Sequence, residues 1–67
     1  MADRLADLER AVEALENEAK DGIDQALVGR LATTRHAITD VRATAQSGAE
    51  LDACNALLRR LKAVYAP

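Results

Sequence analysis

Apolar residues recur along this chain at spacings of three and four, and they do so in three blocks. In the first, Leu5, Leu8, Val12, Leu15 and Ala19 alternate these spacings, the repeat that lines side chains along one stripe of an α-helix. The second block, Asp24 to Gln46, is the longest helical stretch without a break. Its stripe is Leu27, Leu31, Ile38 and Val41, with Thr34 and Ala45 completing the spacing. That stripe is thin, because Thr34 interrupts it. In the third block Leu51, Cys54, Leu58, Leu61 and Tyr65 follow an a/d seam, and Leu57 and Val64 widen it. No segment alternates apolar and polar residues as a strand would. The pattern predicts an all-α fold in one domain spanning residues 1–67. Its helices fall at about 3–20, 24–46 and 49–65, arranged as an antiparallel helical hairpin with a further N-terminal helix.

The boundaries carry their own chemistry. Asp3 can cap the first helix, and acids suit the positive end of the helix dipole. Glu16 and Lys20 are an oriented i,i+4 pair. Asp21-Gly22-Ile23-Asp24 reads as a stop and a restart. Gly22 suits the left-handed position just past a helix end. Asp24 can cap the next helix, with Ile23 and Val28 placed to staple across the cap. The alternative is a helix that runs straight through Gly22. Gly29, Thr33 and Ala37 form a strip of small residues that could admit a close helix. At Ser47-Gly48-Ala49-Glu50, either Ser47 and Glu50 make a capping box or Gly48 terminates the second helix. Both readings put a tight turn there.

Composition shows how little core there is to build. Ala supplies 15 of the 67 residues, and Phe and Trp are absent. Ala favours helices but fills little volume, and the aromatic contribution to core energy is missing. A thin layer of helix on helix is expected, one that gains from oligomerisation or a partner. The net charge is −2 but unevenly placed. Residues 1–24 hold eight acids and three bases, whereas residues 25–67 hold six bases and three acids. Such a split favours packing the first segment against the later ones, or against a partner of opposite polarity.

Candidate chemistry is sparse. Cys54 and His36 are the one pair resembling a nucleophile and a base. His36 falls on the side of its helix away from the stripe, near Asp40, while Cys54 sits in the stripe of its own helix, so a dyad is not expected. One Cys and one His do not make a zinc site, and the acids of the first helix lack the loop that calcium requires. No metal, cofactor or catalytic residue is therefore assigned, and the protein is expected not to be an enzyme. The single Cys excludes an internal disulfide and fits a reducing cytoplasm. No leader pattern or membrane-length apolar run appears. Arg30, Arg35, Arg42, Arg59, Arg60 and Lys62 could line one face for RNA or DNA, but the net negative charge and the lack of stacking aromatics disfavour nucleic acid.

What remains is protein binding through apolar helical faces. The candidates are Leu51, Cys54, Leu58, Leu61 and Tyr65 on the third helix, and Leu5, Leu8, Val12 and Leu15 on the first. Both sets have the anchor spacing of helix-in-groove recognition.

The order of Leu5-Ala6-Asp7-Leu8-Glu9, Leu31-Ala32-Thr33-Thr34-Arg35-His36-Ala37, Ser47-Gly48 and Leu57 to Tyr65 resembles the small YscE/SsaE/PscE-type co-chaperones of type III secretion needle subunits. That family often has a Pro in its turn and a Tyr-Gln-like stretch after it, where this chain has Ala49 to Cys54. The resemblance implies a cytoplasmic protein that pairs with a tetratricopeptide-like chaperone. Together the two would hold the needle subunit and stop it polymerising, with the third-helix stripe facing the chaperone. A different expectation is a self-associating helical bundle with a structural or regulatory role, of the phage- or plasmid-encoded kind.

Overall fold

In the computed structural model the chain makes three helices, α1 (Arg4–Ala19), α2 (Gln25–Ala43) and α3 (Gly48–Tyr65). Residues 4–65 are described, with side chains as far as Val64. The expected cap at Asp3 and the Tyr65 side chain lie outside the described residues. The architecture is all-α, as the periodicity indicates, and every pair of helices is in contact.

The chain direction alternates. Arg4, Asp7 and Leu8 of α1 lie beside Ala37 and Val41 of α2, so the start of one helix meets the end of the next. Glu18 near the end of α1 reaches Arg30 near the start of α2. Glu16 also reaches Arg60, near the end of α3, so α1 and α3 run parallel while α2 runs against both.

Local chemistry accounts for each break. At the end of α1, the amides of Lys20, Asp21 and Gly22 donate to carbonyls three residues back, at 3.1–3.3 Å. This tightening closes the last turn. Gly22 then takes φ +121°, a backbone state that favours glycine. The restart is capped as expected: Asp24 Oδ1 accepts from the Leu27 amide at 2.8 Å. Ile23 and Val28, the expected staple, remain 49% and 41% exposed.

Helix α2 stops at Ala43, three residues short of the predicted end, and local hydrogen bonding gives the reason. The Thr44 amide turns to the Val41 carbonyl at 3.1 Å. The Ala45 amide likewise turns to the Arg42 carbonyl at 3.2 Å, so the last turn tightens, and the Thr44 hydroxyl also approaches the carbonyls of Asp40 and Val41. Ser47 caps α3, its hydroxyl accepting from the Glu50 amide at 3.2 Å. The Glu50 carboxylate returns to the Gln46 amide at 3.3 Å, one residue before the cap. Gly48 is thus the first residue of α3, and the Ser47 cap, not a terminating glycine, makes this turn, with the reciprocal bond of the expected box shifted from the Ser47 amide to that of Gln46.

The core is Val12 and Leu15 from α1, Leu27, Leu31, Ile38 and Val41 from α2, and Cys54, Leu57 and Leu61 from α3. Leu5, Leu8, Ala19, Leu58 and Val64 pack at its margin. On α3 the buried line runs 54-57-61, not 54-58-61. A helix that must touch two neighbours needs a wider face than an a/d seam, and the centre of that face falls at Leu57. Of the small-residue strip, Ala37 lies beside α1, whereas the space around Gly29 is open.

Two glycine substitutions test this local account. Gly22→Ala should destabilise by about 1–2 kcal/mol, because the positive φ is strained for an L-residue. Gly29→Ala should stabilise by about 1 kcal/mol, since a methyl group there meets open space in a helix interior. Chemical denaturation of both variants reads the two signs directly.

Candidate protein-binding face and its electrostatics

The nine candidate residues separate cleanly once the helices are packed. Val12, Leu15, Cys54 and Leu61 are buried in the chain's own core. Leu5, Leu8 and Leu58 are half-buried against it. Leu51 stands at 40% exposure. Of the described candidates, Leu51 is exposed on α3, Leu58 lines two surface depressions there and Leu8 lines a smaller one between α1 and α2, while Val12 and Leu15 of the α1 seam are spent on closing the bundle. Amphipathic spacing could not distinguish these roles, because a helix shows the same period whether its stripe faces its own chain or another.

Leu58 lies on the α2 side of α3. It forms the floor of a groove with Leu61, bordered by Arg35, Thr39, Arg42 and Lys62. A shallower depression with Asp52, Asn55 and Arg59 shares Leu58 and Lys62 with it. The sequence showed these cations as a scattered set. Their gathering along one edge follows from the antiparallel pairing of α2 with α3.

The opposite flank is electrostatically closed. Arg30 donates to Glu18 at 2.7 Å. Arg60 donates through both Nε and Nη2 to the two oxygens of Glu16, the fork geometry that arginine matches to a carboxylate. This bond holds the Glu16 carboxyl below its ordinary range, with the Arg60 and Lys20 charges helping against a modest desolvation. Glu16 in turn raises Arg60, and Glu13 and Glu9 contribute at longer range. The expected Glu16–Lys20 pair gives way to the tie across helices. The acidic N-terminal segment thus serves to bind α1 to both of its neighbours.

The two residues considered for a dyad do not share a surface: Cys54 is fully buried and His36 is exposed. Among the described residues, no three His, Cys, Asp or Glu side chains gather as a metal site would require. No described helix is long and apolar enough to cross a membrane. Comparison of the chain with protein-family models, curated proteins and solved structures gave no match.

The Glu16–Arg60 pair makes a pH prediction with a definite sign. A carboxyl whose folded pKa is lowered binds its proton less readily when folded, so its contribution is present above the unfolded pKa and is lost as pH falls. The stability difference between the native chain and Glu16→Gln should be full above about pH 4.5 and should shrink as pH drops below it. Partial exposure keeps the plateau within roughly 1 kcal/mol. Urea denaturation of both proteins from neutral to acidic pH measures the difference.

Proposed function

We propose that the protein is a non-enzymatic protein-binding module that works from the α2–α3 edge. The observation that supports this reading is the placement of Leu51 and Leu58. Leu51 is exposed and Leu58 is half-buried at the margin of the core, and Leu58 lines a cationic groove. Such an edge provides apolar contact area with charged groups to set orientation.

In its specific form the reading is a cytoplasmic co-chaperone. It pairs with a tetratricopeptide-like chaperone, and the pair covers the apolar helix face of a type III secretion needle subunit until export. The resemblance of the leading Leu-rich helix, the Arg- and Ala-containing middle helix and the apolar final helix to that family supports this form. The mechanism involves no bond making. It withholds from self-assembly a surface that would otherwise polymerise.

The test is coexpression with the tetratricopeptide-like chaperone and needle subunit of a type III system from the same genome. The expected result is a complex that purifies intact. Its affinity should fall by about tenfold or more in the double variant Leu51→Asp with Leu58→Gln, while helix content and melting temperature are kept. Leu61→Asp would not serve, because Leu61 is buried and an unpaired carboxylate there attacks the core. Failure of the three proteins to associate, or a complex indifferent to the double variant, would refute the co-chaperone form.

A further inference from the structure

The α2–α3 pair carries cations along both of its flanks, and only one flank is neutralised. On the first, Arg30 and Arg60 are taken by Glu18 and Glu16 of α1. On the second, Arg35 and Arg42 of α2 and Lys62 of α3 border a groove floored by Leu58 and Leu61. Among the described residues none of these three cations has a carboxylate within ion-pair distance, and no acid lines that groove. Arg30 and Arg35 stand about 140° apart around α2, which is why one helix can serve both flanks.

The apolar part of the second flank is longer than Leu58 alone. Val28 precedes Arg35 by two helical turns, and Leu51 precedes Leu58 by two turns, so each shares its successor's stripe. Val28 and Leu51 are among the most exposed large apolar residues described. The edge therefore has an apolar line with a rim that is cationic at Arg35, Arg42 and Lys62 and carries Asp52 beside Arg59 in the adjoining depression.

We infer that this second flank is a docking groove for an acidic amphipathic helix of a partner protein. Apolar anchors of that helix at i, i+3 or i+4 and i+7 would sit on Leu58 and, two turns away, on the exposed Leu51, with carboxylates beside them meeting Arg35, Arg42 and Lys62. The inference rests on the protein-binding reading and adds the chemistry of the partner.

The chain itself supplies the pattern for such a ligand. Helix α1 is an acidic amphipathic helix that covers the first flank through Val12 and Leu15 and pairs its carboxylates with an arginine from each neighbour. A second helix of that kind on the second flank would complete a four-helix arrangement. A second copy of this chain fits less well. A two-fold contact of groove on groove sets Arg35, Arg42 and Lys62 against their own counterparts, and like charges in register oppose association. The outer side of α1 offers Glu9 and Glu13 to the groove but no large apolar residue, since Leu5, Leu8, Val12 and Leu15 face the core. Nucleic acid would meet the cations but would find a leucine floor, with no aromatic among the described lining residues to stack on.

The experiment is an NMR titration of the full chain with two synthetic amphipathic peptides. Both carry Leu at a and d; one carries Glu and the other Lys at the flanking e and g positions. A uridine oligonucleotide is titrated in parallel. The expected result is saturable shifts of the Thr39, Arg42, Leu58 and Lys62 amides with the Glu peptide. Its affinity should be at least about tenfold above that of the Lys peptide, and a similar factor should be lost in Arg35→Glu with Lys62→Glu. These exposed substitutions leave the core untouched, and a retained amide spectrum confirms that. Equal binding of the two peptides at this edge overturns the acidic partner and leaves the binding module standing. Shifts confined to α1, or no shifts with either peptide, overturn the groove itself. Tighter binding of the oligonucleotide than of the Glu peptide overturns the inference in favour of nucleic acid. Self-association that the charge-reversed variant changes overturns it in favour of a second copy.

Discussion

Everything in this molecule depends on α1 lying against the α2–α3 pair through Val12 and Leu15. A hairpin of α2 and α3 alone would lose the cover that Val12 and Leu15 give to the shared core cluster. No Phe or Trp is present to make up the lost burial. With α1 in place, nine residues form one buried cluster, and all of them are aliphatic or Cys. A core of this size tolerates little. Each buried leucine is worth roughly 2–5 kcal/mol against alanine, a large part of the margin expected for a small domain.

The charges direct that closure. Apolar stripes attract without orientation, so a short helix could settle against α2 and α3 in more than one way. Glu18 on Arg30 and Glu16 on Arg60 fix α1 in its sense and register, one tie to each neighbour. Each tie is modest in energy, being partly exposed, but a misplaced α1 would forfeit both. The same logic leaves a remainder. Once α1 has neutralised one flank, the cations of the other flank stand beside apolar residues that the core did not fully take in, and the proposed binding edge is that remainder.

The three helices and the seam of α1 could be read from the sequence because their spacings leave no competing period. Leu5, Leu8, Val12 and Leu15 all turn inward in the order the pattern implies, and the caps at Asp24 and Ser47 form as their residue types suggest. Other features were illegible for physical reasons. The end of α2 comes where the Thr44 and Ala45 amides turn to carbonyls three residues back, a tightening that propensity does not encode. The inward line of α3 passes through Leu57 because α3 meets two helices, whereas the seam through Leu58 would suit one. Which candidate residues stay outside the core depends on that rotation. The cationic groove is a property of two helices brought side by side, so its members, Arg35, Arg42 and Lys62, look unrelated along the chain.

The central claim is that one chain closes its own core and keeps the α2–α3 edge free. Thermal unfolding followed by circular dichroism over a hundredfold range of protein concentration, with light scattering on the same samples, tests it most directly. A closed monomer gives the monomer mass throughout and a single cooperative transition whose midpoint does not move with concentration. A midpoint that rises with concentration, as it does when folding is coupled to association, together with a mass above that of one chain, would mean that the apolar stripes are completed between molecules and would contradict the account.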